Sequence, residues 1–126
     1  MKLRDLMNQN PVTASPEEAA GAAWERMHAL RTDHLVVMRD GHVVGVVSRH
    51  DLGGPAGGTH RRMGRRIGDL MHGDVVVVSP SASVRRAAML MRKHGVGCLP
   101  IVERDRLVGI VTVGRLLELL EKELET

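Results

Sequence analysis

The chain has 126 residues, enough for one shared core or two very small units and too few for a large multidomain enzyme. With 43% hydrophobic residues, 26% charged residues and a net charge of +3, it has the balance of a soluble globular protein, and no apolar run approaches the roughly 18 residues of a membrane helix. The opening MKLRDLMNQNP lacks an apolar signal region and the single Cys98 cannot form an internal disulfide, so we expect a cytoplasmic protein without membrane attachment.

The sequence repeats itself at an offset of 64 residues without a gap. Between residues 5–52 and 69–116, 13 of 48 aligned positions are identical, and examples are Asp5-Leu6-Met7 with Asp69-Leu70-Met71 and Val44-Gly45 with Val108-Gly109. Such self-similarity indicates an internal duplication. We therefore predict a first repeat over 1–58, with a glycine-rich linker at its end, and a second repeat over 59–126.

Each repeat has the pattern short strand, helix, strand, strand, helix. In the first repeat a short strand near Val12-Thr13 precedes a helix that Ser15-Pro16 begins and that runs to about Leu30. Its apolar stripe is Ala20, Ala23, Trp24 and Met27. Two β-branched runs, 35–38 and 43–47, predict a hairpin, and a short helix follows near 49–52.

The connector 53–60 has four glycines and one proline, which predicts a mobile surface loop. The second repeat then predicts a short strand near Val75–Val78, a helix with its stripe at Val84, Ala87, Ala88 and Met91, a hairpin of 98–102 and 107–111, and a helix from Gly114 to about Glu123. The leucines of this last helix either close the core within the chain or form a dimer surface.

These motifs resemble a tandem pair of cystathionine β-synthase (CBS) domains. The resemblance rests on the two Asp-Leu-Met openings, the two Ser-Pro pairs, Gly45–Leu52 and His94–Val102, and it extends from about Leu3 to Leu120. It implies an α+β fold of two CBS repeats packed sheet to sheet with pseudo-two-fold symmetry, as in stand-alone prokaryotic-type CBS-domain proteins. It also implies a homodimer.

In function, the resemblance implies a regulatory module and not an enzyme. Such a module binds AMP, ADP, ATP or S-adenosylmethionine in a cleft between the two repeats and relays occupancy to a target protein, here unidentified. No cofactor is required for this role. The alternatives are a dimerisation scaffold that binds no ligand, or a docking module for an acidic partner or nucleic acid.

The resemblance also indicates which residues would bind the ligand. The first repeat would contribute Val46, Ser48, His50 and Asp51, and the second would contribute an apolar purine slot of Val75, Val76, Val96, Cys98 and Pro100. An aspartate can accept hydrogen bonds from both hydroxyls of a ribose, and a strand-to-helix junction such as that at Ser48 favours a phosphate. Ser48-x-x-Asp51 also fits a capping box, and the two interpretations are compatible.

A second site is in doubt because the pattern changes. Its residues would be Thr13, His34, Thr112, Gly114 and Arg115. Arg115 stands where the counterpart of Asp51 is expected, and Val36 replaces the proline found at Pro100. We expect Arg115 to be a surface or ion-paired residue, with contact to a ligand phosphate as the alternative.

Four arginines, Arg61, Arg62, Arg65 and Arg66, lie within six residues, and removing these four from a net charge of +3 leaves −1. Three interpretations of this arginine cluster remain open. It is part of a solvated linker, or it is a docking site for an acidic partner, or Arg61, Arg62 and Arg65 contact ligand phosphates together with Arg49. Nucleic acid is an unlikely partner, since the chain has no Phe or Tyr to stack on bases. The seven histidines show no metal-binding spacing, so we expect no metal site.

Overall fold

The computed structural model describes residues 1–54 and 58–124, which fold into two compact units. The central unit is Val12–Val75, and the terminal unit combines Met1–Pro11 with Val76–Thr126. The predicted boundary between 58 and 59 was drawn from the sequence repeats, whereas the compact units divide the chain after Pro11 and after Val75. The reason lies in backbone hydrogen bonds: Asn8 pairs with Ile110, and His72 pairs with Val46.

The central unit is a three-stranded sheet with helices. The sheet has the order β1-β2-β3, with β1 parallel to β2 and β2 antiparallel to β3. Its core contains Met27, Leu35, Val47, Leu52 and Ile67, all fully buried. In chain order the elements are β1 Thr13–Ala14, α1 Ala20–Leu30, β2 His34–Arg39, β3 His42–Ser48, α2 Gly58–Arg62 and α3 Ile67–Leu70.

The terminal unit has a two-stranded antiparallel sheet and two long helices. Its core includes Leu3, Leu99, Ile101 and Val111, so the opening of the chain contributes to it directly. The elements are a short 3-10 turn at Leu3–Asp5, α4 Val84–His94, β4 Cys98–Glu103, β5 Arg106–Thr112 and α5 Val113–Leu124. No helix among the described residues is long and apolar enough to cross a membrane.

The 64-residue offset is confirmed element by element. Helices α1 and α4 begin and end at equivalent positions, as do the paired strands β2 and β4 and the paired strands β3 and β5. Both hairpins turn through two residues with positive φ, Asp40-Gly41 and Arg104-Asp105, as the tightest hairpin turns require. The long helix and the hairpin thus have the same bounds in both repeats, whereas the short strand before the helix and the segment after the hairpin differ.

The predicted start of α1 was wrong. The helix begins at Ala20 and not at Ser15-Pro16, because the backbone of residues 16–20 bonds to residues 65–68: Gly68 N donates to Pro16 O, and Ala20 N donates to Arg65 O. In α4 a serine does cap the helix, but it is Ser83, whose Oγ accepts from Arg86 N at 3.0 Å.

Two further predictions need correction. The strand expected near Val75–Val78 is reduced to a single bridge between Val78 and Ile101. The expected connector loop contains α2 from Gly58 onward, while Pro55–Gly57 lie outside the described residues. Gly53 faces Gly58 so closely that a Cβ on Gly53 would lie 2.8 Å from the Gly58 Cα, so these glycines permit a tight contact.

The second strand of each hairpin contains a glycine, whose lack of a side chain allows another segment of the chain to approach the strand closely. A Cβ on Gly45 would lie 2.7 Å from Met71 Sδ and 2.8 Å from His72 O. A Cβ on Gly109 would lie 2.8 Å from Met7 Sδ and 2.9 Å from Asn8 O. Packing therefore requires the glycine of the repeated Val-Gly pair, because a side chain at Gly45 or Gly109 would push the neighbouring segment, 71–72 or 7–8, off the strand.

We predict that Gly45→Ala lowers the free energy of unfolding by about 1–3 kcal/mol, since the backbone oxygen of His72 cannot rotate away as a side chain could. Chemical denaturation followed by far-ultraviolet circular dichroism measures this. The control is Gly21→Ala in α1, where nothing lies within 4 Å of the new Cβ and helix propensity should add roughly 0.5–1 kcal/mol. Equal stability of both variants would contradict the assigned role of Gly45.

Candidate functional site

The chain closes a tight turn immediately after β3. Ser48 N donates to Asp51 Oδ2 at 2.8 Å, and Asp51 N donates to Ser48 Oγ at 3.0 Å. This reciprocal pair is the capping arrangement expected from the sequence. The helix expected near 49–52 does not follow, because Gly53 and Gly54 adopt positive φ and end the turn after one cycle.

Asp51 has one oxygen committed to the turn and the other directed to His72. The Asp51 side chain is 14% exposed, and its Oδ1 lies 2.9 Å from His72 Nε2. An ionised carboxylate can only accept, so the imidazole nitrogen donates. Sequence reasoning missed His72, and its only signal was its position after the repeated Met71, equivalent to Asn8 in the first repeat.

Neighbouring side chains hold the turn from two directions. Arg61 Nε donates to the backbone oxygen of Asp51 at 2.8 Å, and Arg49 pairs with Asp33 at 3.4 Å. His34 is opposite Ser48 in the sheet register. Burial lowers the pKa of His34 because it disfavours the charged imidazole, and the carboxylates of Asp33 and Asp51 oppose this shift.

The predicted ligand residues fall into both compact units. Val46, Ser48, His50, Asp51 and Val75 belong to the central unit. The backbone N–H of Val46 donates to His72 O, and the backbone N–H of His72 donates to Val46 O. His50 is exposed in the turn. The remaining purine-slot residues belong to the terminal unit: Val96 is partly buried beside its core, and Cys98 and Pro100 are buried in β4.

The equivalent junction in the second repeat is built differently. Arg115 N donates to Thr112 Oγ1 at 3.1 Å, which keeps one half of the capping pair. The Arg115 guanidinium donates to Leu6 O at 3.2 Å and pairs with Glu118 at 3.0 Å. The structure therefore supports the ion-paired interpretation of Arg115. Gly114 is the second residue of α5. Thr13 belongs to β1 of the central unit, and the Thr112–Arg115 junction belongs to the terminal unit.

Most of the arginine cluster is bound to the protein itself. Arg62 is only 9% exposed, its guanidinium lies 4.0 Å from the centre of the Trp24 ring, and it donates to Leu52 O and Gly54 O at 2.9 and 3.2 Å. Arg66 donates to Glu17 O. Arg62 was predicted as a phosphate contact, but these bonds and the indole occupy its guanidinium. We therefore correct that assignment to an internal one.

The terminal unit carries an apolar groove between α4 and α5. The groove has a volume of about 730 Å³, and its lining includes Val84, Ala88, Met91, Leu116 and Leu120. Leu117, Leu120 and Leu124 are 58%, 51% and 78% exposed. Leu116 and Leu119 pack against the core as one of the two interpretations expected, whereas Leu117, Leu120 and Leu124 face outward, and a dimer surface there stays a prediction. Within residues 1–54 and 58–124, no group of three His, Cys, Asp or Glu could hold a metal ion.

Comparison with known proteins identifies two matching segments. The CBS domain family model matches residues 3–52 and 67–122. The CBS domain-containing protein YhcV of Bacillus subtilis is 27% identical over 114 residues, covering 90% of this chain and 81% of YhcV. A homoserine O-acetyltransferase of Methanocorpusculum labreanum is 31% identical over 114 residues, covering 89% of this chain but only 23% of that protein.

Solved structures give the same result for the fold. The CBS domain pair of protein MJ0100, in complex with 5′-methylthioadenosine and S-adenosyl-L-methionine, superimposes with a TM-score of 0.87 at 22% identity, covering 98% of each chain. That likeness shows the fold. A putative acetoin utilization protein (AcuB) from Vibrio cholerae has a TM-score of 0.79 at 31% identity, covering 99% of this chain and 93% of that one.

We predict that Arg62→Ala lowers the free energy of unfolding by roughly 3 kcal/mol. The variant removes the guanidinium from the face of the Trp24 ring and leaves the carbonyls of Leu52 and Gly54 without this donor. Denaturation followed by Trp24 fluorescence reports the change directly. The matched control, Arg65→Ala, removes an exposed side chain and should stay within about 0.5 kcal/mol of the wild type. Similar losses in both variants would refute the internal role of Arg62.

Proposed function

The chain belongs to the CBS domain family, and from that premise we propose that it is a regulatory module that binds one adenosyl compound. The observation that carries the proposal is the Ser48–Asp51 turn, which fixes a largely buried carboxylate and leaves Oδ1 for donors outside the turn. Ribose supplies two vicinal hydroxyl donors, which suit such an oxygen. A relative in fold binds 5′-methylthioadenosine and S-adenosylmethionine, which supports the same ligand class.

The ligand contacts proposed from the sequence are kept with one change. Val46, Ser48, His50 and Asp51 remain proposed contacts for ribose and its 5′ substituent, Arg49, Arg61 and Arg65 remain phosphate contacts, and Arg62 is removed. The purine-slot residues also remain part of the proposal: Val75, Val76, Val96, Cys98 and Pro100.

The bonds that the arginines already form within the protein favour candidate ligands with fewer phosphates. Of the three arginines kept as phosphate contacts, Arg49 is paired with Asp33 and Arg61 donates through Nε to a backbone oxygen, so two of the three are already partly committed within the protein. We therefore place S-adenosylmethionine and 5′-methylthioadenosine ahead of AMP, ADP and ATP. The same commitments weigh against the docking of nucleic acid or an acidic partner on this cluster.

We propose a single ligand site in each chain. Arg115 occupies the place of the ribose-binding aspartate in the second repeat and is already bonded to Leu6 O and Glu118. A cation that donates cannot accept the ribose hydroxyls. Thr13, His34, Thr112 and Gly114 therefore do not form a second ribose site in this proposal. We infer that occupancy of the single site is relayed to a protein target and that the module has no catalytic step.

Isothermal titration with 5′-methylthioadenosine, S-adenosylmethionine, AMP and ATP tests the proposal. We expect one ligand bound per chain, with Asp51→Asn weakening binding at least about tenfold, because the amide can keep the bond to Ser48 N but offers an N–H where ribose needs an acceptor. Glu25→Ala on the exposed face of α1 is the control. Absence of binding by every adenosyl ligand would favour a scaffold that binds none.

We also propose that the α4–α5 groove is the interface of a homodimer. The exposed leucines are one argument, and charge is the other: Arg85 and Arg92 on α4 and Glu123 on α5 border the same groove. In a two-fold arrangement that sets α4 of one copy against α5 of the other, basic α4 would face acidic α5 twice, and the surface would be complementary to itself. We therefore assign the groove to a second copy of this chain.

For the dimer we predict that Leu117→Asp with Leu120→Asp converts the protein to a monomer in sedimentation velocity, because two carboxylates cannot be buried there unpaired. The exposed Met63 of the central unit supplies the control, and Met63→Asp should leave the mass at twice the 13.8 kDa of one chain. A wild-type protein that sediments as a monomer would exclude this interface.

A further inference from the structure

We propose that His72 is a pH-dependent competitor for the ligand-binding oxygen of Asp51, an inference that rests on the proposed function. His72 Nε2 donates to Asp51 Oδ1 at 2.9 Å, so one of the two lone pairs of the oxygen that the ribose hydroxyls would use is already occupied. For both ribose hydroxyls to donate to this oxygen, the imidazole must leave. His72 thus sets how readily the site opens.

The geometry allows this departure at small cost to the fold. The His72 side chain is 57% exposed, so it can move into solvent, whereas the Asp51 side chain is 14% exposed and locked by Ser48 N. The backbone of His72 stays attached to Val46 in either case, through bonds of 2.9 and 3.1 Å. The ring can therefore swing away while the strand bridge keeps its position.

The charge of the imidazole decides the strength of the competition. Histidine is the side chain whose charge changes between pH 5 and 8. A protonated His72 pairs with the carboxylate as an ion pair, and a neutral one donates an ordinary hydrogen bond. Acid therefore strengthens the competitor and weakens ligand binding, and binding recovers as the pH rises.

Other charged groups around the pair do not produce this dependence. Arg61 from α2 and Arg49 from the turn keep their charge at any relevant pH. Burial lowers the pKa of His34 in β2, so this imidazole stays neutral to a lower pH than an ordinary imidazole does. The remaining titratable neighbours in sequence are His50 in the turn, Asp33 in front of β2 and Asp74, and none of them has a hydrogen bond to Asp51 among the described residues.

The first repeat supplies the natural replacement. Asn8 occupies the position of His72 and forms the same backbone bridge, to Ile110. His72→Asn should therefore preserve the fold while removing the charge. The matched control is His42→Asn, which changes an exposed histidine at the hairpin of the same unit.

The experiment measures the dissociation constant of 5′-methylthioadenosine, which has the ribose hydroxyls and no phosphate, at about pH 8 and about pH 6. We expect the affinity of the wild type and of His42→Asn to fall about fivefold in acid, the scale of a partly exposed ion pair, while that of His72→Asn stays within about twofold. Calorimetry in buffers of different ionisation enthalpy should record proton release on binding to the wild type but not to His72→Asn.

Two results would overturn the proposal, and they are distinguishable. Binding that is lost in Asp51→Asn but has the same pH dependence in the wild type and in His72→Asn would refute the competition and leave the proposed function intact. Binding by none of these proteins at either pH would refute both.

Discussion

The close approach of the Met71–His72 backbone to β3 is the constraint on which the rest of the central unit depends. It requires glycine at position 45, since a Cβ there would meet His72 O at 2.8 Å. The approach lets His72 exchange backbone hydrogen bonds with Val46 and thereby places the imidazole beside Asp51. A single absent side chain in the strand thus determines the environment of the candidate binding carboxylate three residues beyond the end of the strand.

The duplication shows which parts of this arrangement are structural and which have diverged. Gly109 repeats the close approach with Asn8, and Thr112 repeats the hydroxyl of the capping pair. What differs is the chemistry at the turn, since Asp51 becomes Arg115 and His72 corresponds to Asn8. The backbone of both repeats is therefore similar, but only the first repeat presents a carboxylate that can accept from a sugar.

The sequence predicted the elements that depend on local spacing. The 64-residue offset, the stripe of α1 and both hairpins follow from periodicity and turn chemistry and were confirmed. In the predicted stripe of α4, Val84, Ala87 and Met91 pack against the core, but Ala88 is exposed. The capping pair at Ser48 and Asp51 was also predictable, because its two partners are three residues apart. The errors arose where distant backbone competes: Ala20 rather than Ser15 begins α1 because residues 65–68 bond to the segment before it.

The candidate site was less predictable for the same reason. His72 is 21 residues from Asp51, and Arg62 is brought onto Trp24 by a helix that a glycine-rich composition did not indicate. A cluster of arginines has the same sequence signature whether it is solvated or folded inward, and the indole that receives Arg62 lies 38 positions earlier in the chain. Tertiary contacts of this kind have no periodicity from which they could be inferred.

The most direct test of the account is the map of backbone amide shifts when 5′-methylthioadenosine is added to the isotopically labelled protein. We predict that the largest changes within the two junctions fall on the Ser48 and Asp51 amides, while the amides of Thr112 and Arg115 stay unchanged. Changes centred on Thr112 and Arg115, or none at Ser48 and Asp51 when ligand is bound, would contradict it.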